Sequence, residues 1–79
     1  MTLFINNLPC QVTQVEIQKL LNKHGAIKHI FLPVHWKTNQ GFGFAFVEMY
    51  VKANEDAARF ALNNFKWMGN QLEISEISS

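Results

Sequence analysis

Cysteine is almost absent from this sequence: Cys10 is the single one, and no second Cys and no His stands at metal-ligand spacing from it. An internal disulfide is excluded, an oxidising compartment is not implied, and Cys10 reads as a small loop residue. No apolar run approaches about 18 residues, and the first strand begins too close to residue 1 to leave room for a signal peptide. A cytoplasmic location, with no membrane partner, is the expectation. Glycine and proline are sparse, four and two of 79 residues, while 48% of the chain is hydrophobic. That composition excludes low-complexity disorder and suits one globular domain over residues 1–79. Charge of one sign is lacking as well: seven Lys and Arg against six Asp and Glu leave a net charge of +1. There are no paired carboxylates in a cleft-forming arrangement and no nucleophile with an assignable base. Gly41 and Gly43 precede a strand where a phosphate-cradling loop would precede a helix. We expect no enzyme activity, no cofactor and no metal; His24, His29 and His35 lack the spacing of a metal site.

Aromatics, by contrast, are placed with regularity. In Phe42-Gly43-Phe44-Ala45-Phe46-Val47-Glu48-Met49 one parity holds Phe42, Phe44, Phe46 and Glu48, and the other holds Ala45, Val47 and Met49. A half-buried strand needs only one apolar face, so Ala45, Val47 and Met49 supply the core and the rings face outward. In Leu3-Phe4-Ile5-Asn6-Asn7-Leu8, likewise, Leu3, Ile5 and Leu8 serve the core while Phe4 and Asn6 share the other face. If these strands pair, Phe4, Phe44 and Phe46 form one exposed apolar platform, of the kind that marks binding surfaces. Flat rings at that spacing suit stacked nucleobases, at about 1–3 kcal/mol per stack.

The rest of the chain reads as β-α-β-β-α-β. Thr13 and Glu16 form a capping box, with Val12 and Ile17 at the staple positions around it. Ile17, Leu20 and Leu21 follow at spacings of three and four, and Gly25 stops the helix. Ile27, Ile30 and Leu32 mark a second strand, with His29 and Phe31 on the platform side, ended by Pro33. A polar connector, 34–41, leads into the third strand. A second helix is predicted from Asn54 to Asn63, burying Ala57, Ala58, Ala61 and Leu62. Arg59 and Phe60 fit that face poorly, so either the helix is rotated or Phe60 takes a packing role. A turn over Phe65–Gly69 then opens a last strand from Asn70 to Glu76, with Leu72 and Ile74 inward and Gln71, Glu73 and Ser75 outward. This is the α+β, ferredoxin-like order.

The two aromatic segments resemble the short and long ribonucleoprotein signatures of the RNA-recognition motif (RRM) family. Leu3 to Leu8 matches the short signature at every defined position. Phe42 to Met49 departs from the long one where Phe42 replaces Lys or Arg and Met49 replaces an aromatic. The resemblance covers nearly the whole chain. Its nearest flavour is the short single-domain RRM proteins of cyanobacteria and other bacteria, through Phe46-Val47-Glu48-Met49, Trp67-Met68-Gly69 and the spacing from Leu32 to Gly43. Many of those proteins continue into a Gly-rich or basic tail, whereas this sequence stops at Ser79. The loop before the second helix looks about three residues longer than the family's most frequent form.

The resemblance implies a four-stranded antiparallel sheet in the order 4-1-3-2, backed by two helices, with single-stranded RNA lying across it. One base would stack on Phe4 and another on Phe44, with Phe46 against riboses or between bases. Asn6, Gln71 and Glu73 become candidates for reading base edges. Phe42, Phe31, His29, Trp36 and Lys37 become further contacts from the strands and the connector. Because only Lys28 and Lys37 flank the platform, binding is expected to be weak, on the order of micromolar or poorer, and driven by stacking. Single-stranded DNA is the other nucleic-acid partner left open. The alternative reading is a protein-interaction module of the same fold, binding a peptide or forming a weak homodimer through its apolar sheet face.

Overall fold

The thirteen residues around the first helix show how local sequence places the back of this protein. In the computed structural model, which describes residues 2–77, Thr13 Oγ1 accepts a hydrogen bond from the Glu16 backbone N–H at 3.3 Å, and the Thr13 backbone N–H donates to Glu16 Oε1 at 2.9 Å. The capping box thus starts helix α1 (Gln14–Asn22), whose buried residues are Ile17, Leu20 and Leu21. Gly25, at φ +142°, turns the chain beyond it into strand β2. The expectation about the chain's end at Ser79 lies outside the described residues.

Strands β1 (Thr2–Asn6), β2 (Ile27–Phe31), β3 (Phe44–Met49) and β6 (Glu73–Ile77) form one sheet in the order β2-β3-β1-β6, with every pairing antiparallel. This is the predicted 4-1-3-2 order, β6 being the fourth strand of the sheet. Leu3, Ile5, Ala45, Val47, Leu72 and Ile74 are buried in one core with Leu8, Val12 and the α1 residues. Burying each Leu, Ile or Val side chain contributes about 1.5–3 kcal/mol, so the alternation of β1 and β3 decides which face is covered. On β2, Ile27 and Ile30 both pack against this core although they stand three positions apart, on opposite parities. A register shift between Ile27 and His29 reconciles them: Ile27 pairs with Met49 and Ile30 with Val47, while Lys28 falls in the bulge of this outer strand.

Three sequence expectations are corrected behind and beside the sheet. Helix α2 spans Lys52–Leu62, so its start precedes the predicted Asn54, and the loop before it is only Tyr50–Val51. Its buried residues are Glu55, Ala58 and Leu62, while Ala57, Ala61 and Arg59 are exposed and Phe60 is 91% exposed. The helix is therefore rotated, and Phe60 takes no packing role. The reason is Glu55, only 2% exposed, whose Oε2 accepts the Met49 backbone N–H at 2.9 Å. That bond locks the first turn of α2 to the end of β3. Finally, the predicted last strand is interrupted: Lys66–Trp67 (β4) pairs with Asn70–Gln71 (β5) as a separate hairpin, and the sheet strand starts only at Glu73. Among the described residues no helix is long and apolar enough to cross a membrane.

Candidate nucleic-acid interface

Both helices pack against the Leu3, Ile5 and Val47 side of the sheet, so the opposite parity is left open. Register then assembles its rings. Phe31 pairs with Phe46, Phe46 with Phe4 and Phe4 with Ser75, one rung crossing all four strands. The ring centroids lie 6.2 Å apart for Phe31 and Phe46, stacked at 24°, and 5.2 Å for Phe4 and Phe46. Phe44 stands 5.8 Å from both Phe4 and Phe46, in an edge-on arrangement with the latter. Such offset and tilted pairs are favourable in themselves, by about 0.5–1.5 kcal/mol each. They hold Phe4, Phe44 and Phe46 half-buried against one another, while Phe31 at the margin stays 61% exposed.

The neighbouring rungs are polar. Asn6 pairs with Phe44 on one side and Glu73 on the other, and His29 pairs with Glu48. Phe4, Asn6, Glu73 and Ser75, with Asn63, Asn64 and Ile74, line a shallow groove of about 360 Å³ at the β6 side of the rings. Asn63 and Asn64 are held there by hydrogen bonds: the side-chain Oδ1 of Asn63 accepts the Ile74 N–H at 3.0 Å, and the Asn64 backbone N–H donates to the Leu72 carbonyl at 2.7 Å.

Phe42 is the site candidate that the structure moves. Gly43 adopts φ +90°, which only glycine takes without strain, and the strand begins after it at Phe44. The Leu8 N–H donates to the Gly43 carbonyl at 2.8 Å, and the Gly41 N–H to the Cys10 carbonyl at 2.8 Å, so the glycines dock the β3 approach onto the loop after β1. Phe42 therefore stands before the strand and outside its pairing. It lies instead with His35, ring centroids 6.1 Å apart, on the connector, where Val34 bridges Gly41. Trp36 is 79% exposed on the same connector, with Lys37 Nζ 5.0 Å from the centre of its ring. The connector thus presents aromatic and cationic groups beside the platform.

Gln71 is also displaced, into the hairpin. Its carbonyl accepts Asn7 Nδ2–H at 2.7 Å, and Asn70 Nδ2–H donates to the Asn7 carbonyl at 3.1 Å. Sequence reasoning passed over this clasp, whose one local signal is an Asn at a strand end. Asn is among the residues that tolerate the left-handed conformation, and Asn7 has φ +63°.

The cations are mostly elsewhere. Lys52 contacts Asp56 at 3.2 Å and Glu76 at 3.7 Å, and Arg59 reaches Glu76 at 4.0 Å. The hydrogen bond from Lys52 to Asp56, then the charges of Asp56, Glu76 and Glu55, raise the Lys52 ammonium above its usual pKa. Among the described residues, no group of three His, Cys, Asp or Glu is placed to hold a metal ion.

An antiparallel sheet with two helices behind it and a rung of rings in front defines a class of single-strand-binding folds. The chain belongs to the RNA recognition motif family, whose profile matches residues 3–73. It is 37% identical over 76 residues to RbpD of Nostoc sp. strain PCC 7120, a protein named provisionally as RNA-binding. That alignment covers 96% of this chain and 81% of the relative. Its fold matches the Rna15 RRM with bound RNA (GU) at TM-score 0.94 and 19% identity, covering 99% of this chain and 83% of that one. The Sxl-lethal protein/RNA complex matches at TM-score 0.91 and 26% identity, covering 99% of this chain and 47% of that one.

Proposed function

We propose that this protein binds single-stranded RNA on the open face of its sheet. The observation that carries the reading is the rung Phe31-Phe46-Phe4, with Phe44 beside it, on the face that the helices leave uncovered. One base stacks on Phe4 and the next on Phe44, each stack contributing about 1–3 kcal/mol. Phe46 and Phe31 extend the surface toward the connector, where Trp36 and Lys37 close over the strand. Likeness to RbpD and to the two structures whose names include RNA supports the same reading. Stacking does not require a 2′-hydroxyl, so single-stranded DNA engages the same rings and RNA is favoured only by contacts to that group. RNA chaperoning or post-transcriptional control is the cellular work that weak, stacking-driven binding suits.

The test is an NMR titration of labelled protein with homopolymeric and random RNA hexamers, beside a folded Phe4→Ala, Phe44→Ala variant. Shifts confined to β1, β3 and β6 that vanish in the variant are the expected result. Unperturbed spectra at millimolar RNA would sink the proposal.

A second reading, weak self-association, draws on Phe31 and Phe60, both large and well exposed. It predicts a concentration-dependent rise in sedimentation coefficient that Phe60→Ser or Phe31→Ser removes; a monomer at millimolar protein refutes it.

A further inference from the structure

The geometry points to Asn6 and Glu73 as a guanine-reading pair, which makes the RNA site selective for a guanine stacked on Phe4. The inference rests on the RNA-binding reading and adds to it the identity of one base. Its starting point is an anomaly: a surface meant for a polyanion carries an acidic side chain beside its central ring. Glu73 is exposed and takes part in none of the ion pairs among the described residues, all of which involve Lys52 or Arg59 on α2. A phosphate placed against it is repelled, whereas a hydrogen-bond donor of a base is attracted to Glu73. Asn6 is its direct partner across the β1–β6 pairing, and its side-chain amide likewise has no hydrogen bond among the described residues.

These two side chains line one groove with Phe4. A base stacked on the Phe4 ring reaches over that groove with one edge. Side by side on that groove, Asn6 can offer an amide N–H donor and Glu73 two carboxylate acceptors. The complement is an acceptor followed by two adjacent donors. Guanine offers that pattern along its Watson–Crick edge, in O6, N1–H and the N2 amino group. Cytosine presents one donor and then two acceptors, so at best its N3 accepts from Asn6 while its single amino group donates to the carboxylate. Uracil presents a single N–H between two carbonyls, and adenine an amino group beside an unprotonated ring nitrogen. None of the three offers two adjacent donor atoms, so each leaves at least one carboxylate oxygen of Glu73 unmatched, and an unmatched polar contact of that kind is what rejects a wrong partner. A matched bidentate pair discriminates bases by roughly 1–3 kcal/mol, about tenfold or more in affinity.

The deciding experiment measures affinities of the full chain for five pentanucleotides, UUXUU with X as G, A, C, U or inosine, for the wild type, Glu73→Gln, Asn6→Ala and Phe4→Ala. The expected pattern is a preference for G of about tenfold over U, with inosine, which lacks the N2 amino group, between them. Glu73→Gln is expected to erase most of that preference by weakening binding of the G oligonucleotide and strengthening that of UUUUU, because a negative charge has left the RNA surface. Asn6→Ala should reduce the G preference in part, and Phe4→Ala should weaken all five alike. Uniform affinities in the wild type, all lost in Phe4→Ala, would overturn the guanine assignment and leave the RNA platform standing. A preference for G that survives Glu73→Gln would overturn it too. Failure of every oligonucleotide to bind would remove both readings together.

Discussion

Salt offers the sharpest probe of how this surface holds RNA. Of seven Lys and Arg residues, Lys28 in the β2 bulge and Lys37 on the connector border the open face. Lys52 and Arg59 lie on α2 with acidic partners on the covered side, Lys19 and Lys23 sit on or at the end of α1, and Lys66 lies on β4 of the hairpin. Each neutralised phosphate of a single strand lowers the slope of log affinity against log salt by about 0.7. Two contacts therefore predict a slope near −1.4, and a fall of about sevenfold between roughly 50 and 200 mM salt. Engagement of all seven cations would instead give a slope of about −5 and a fall near a thousandfold. Fluorescence anisotropy with an end-labelled U-rich or G-containing hexamer, over five salt concentrations, measures the slope. Lys37→Gln should flatten it by about 0.7, while Lys19→Gln should leave it unchanged. A wild-type slope steeper than about −3 would refute the reasoning, since phosphate contacts from the helical side would then be required.

The remaining predictions concern the frame that presents the site. Gly25→Ala places a methyl group into the Asn54 side chain at a φ of +142°; a loss of about 2–3 kcal/mol is expected in urea unfolding, of which Asn54→Ala should return only the steric share. Glu55→Ala leaves the buried Met49 N–H without its acceptor and should cost about 2–3 kcal/mol, with Glu55→Gln, which keeps an acceptor, costing less. Thr13→Ala removes the acceptor of the Glu16 N–H and should lower stability by about 1 kcal/mol, read as a thermal midpoint shift of roughly 4–8 °C. An unchanged midpoint in that variant would show that the cap does not hold α1.

Much of this protein is legible in its sequence because its signals are local. A strand shows every second residue to the same side, so Phe4, Phe44 and Phe46 could be set against Leu3, Ile5, Ala45 and Val47 without any tertiary information. The Thr13–Glu16 box and the stop at Gly25 are short-range chemistry of the same kind, and the order of the elements follows from them. What failed depends on contacts between residues distant in sequence. Phe42 lies before the strand that starts at Phe44, and only the fold sets its ring beside that of His35. Alanine spacing favoured burial of Ala57 and Ala61. Glu55, which reads as a solvent-facing residue, is instead drawn inward by the unpaired amide of Met49 and rotates the helix. The bulge at Lys28 and the hairpin clasped to Asn7 are likewise invisible to any periodic pattern. The same holds for the groove joining Phe4, Asn6 and Glu73. Each of its residues stands out in the sequence, but only the pairing of β1 with β6 sets an amide beside a carboxylate and a ring. Periodicity determines which way a side chain faces, whereas register and packing over long separations decide what it faces.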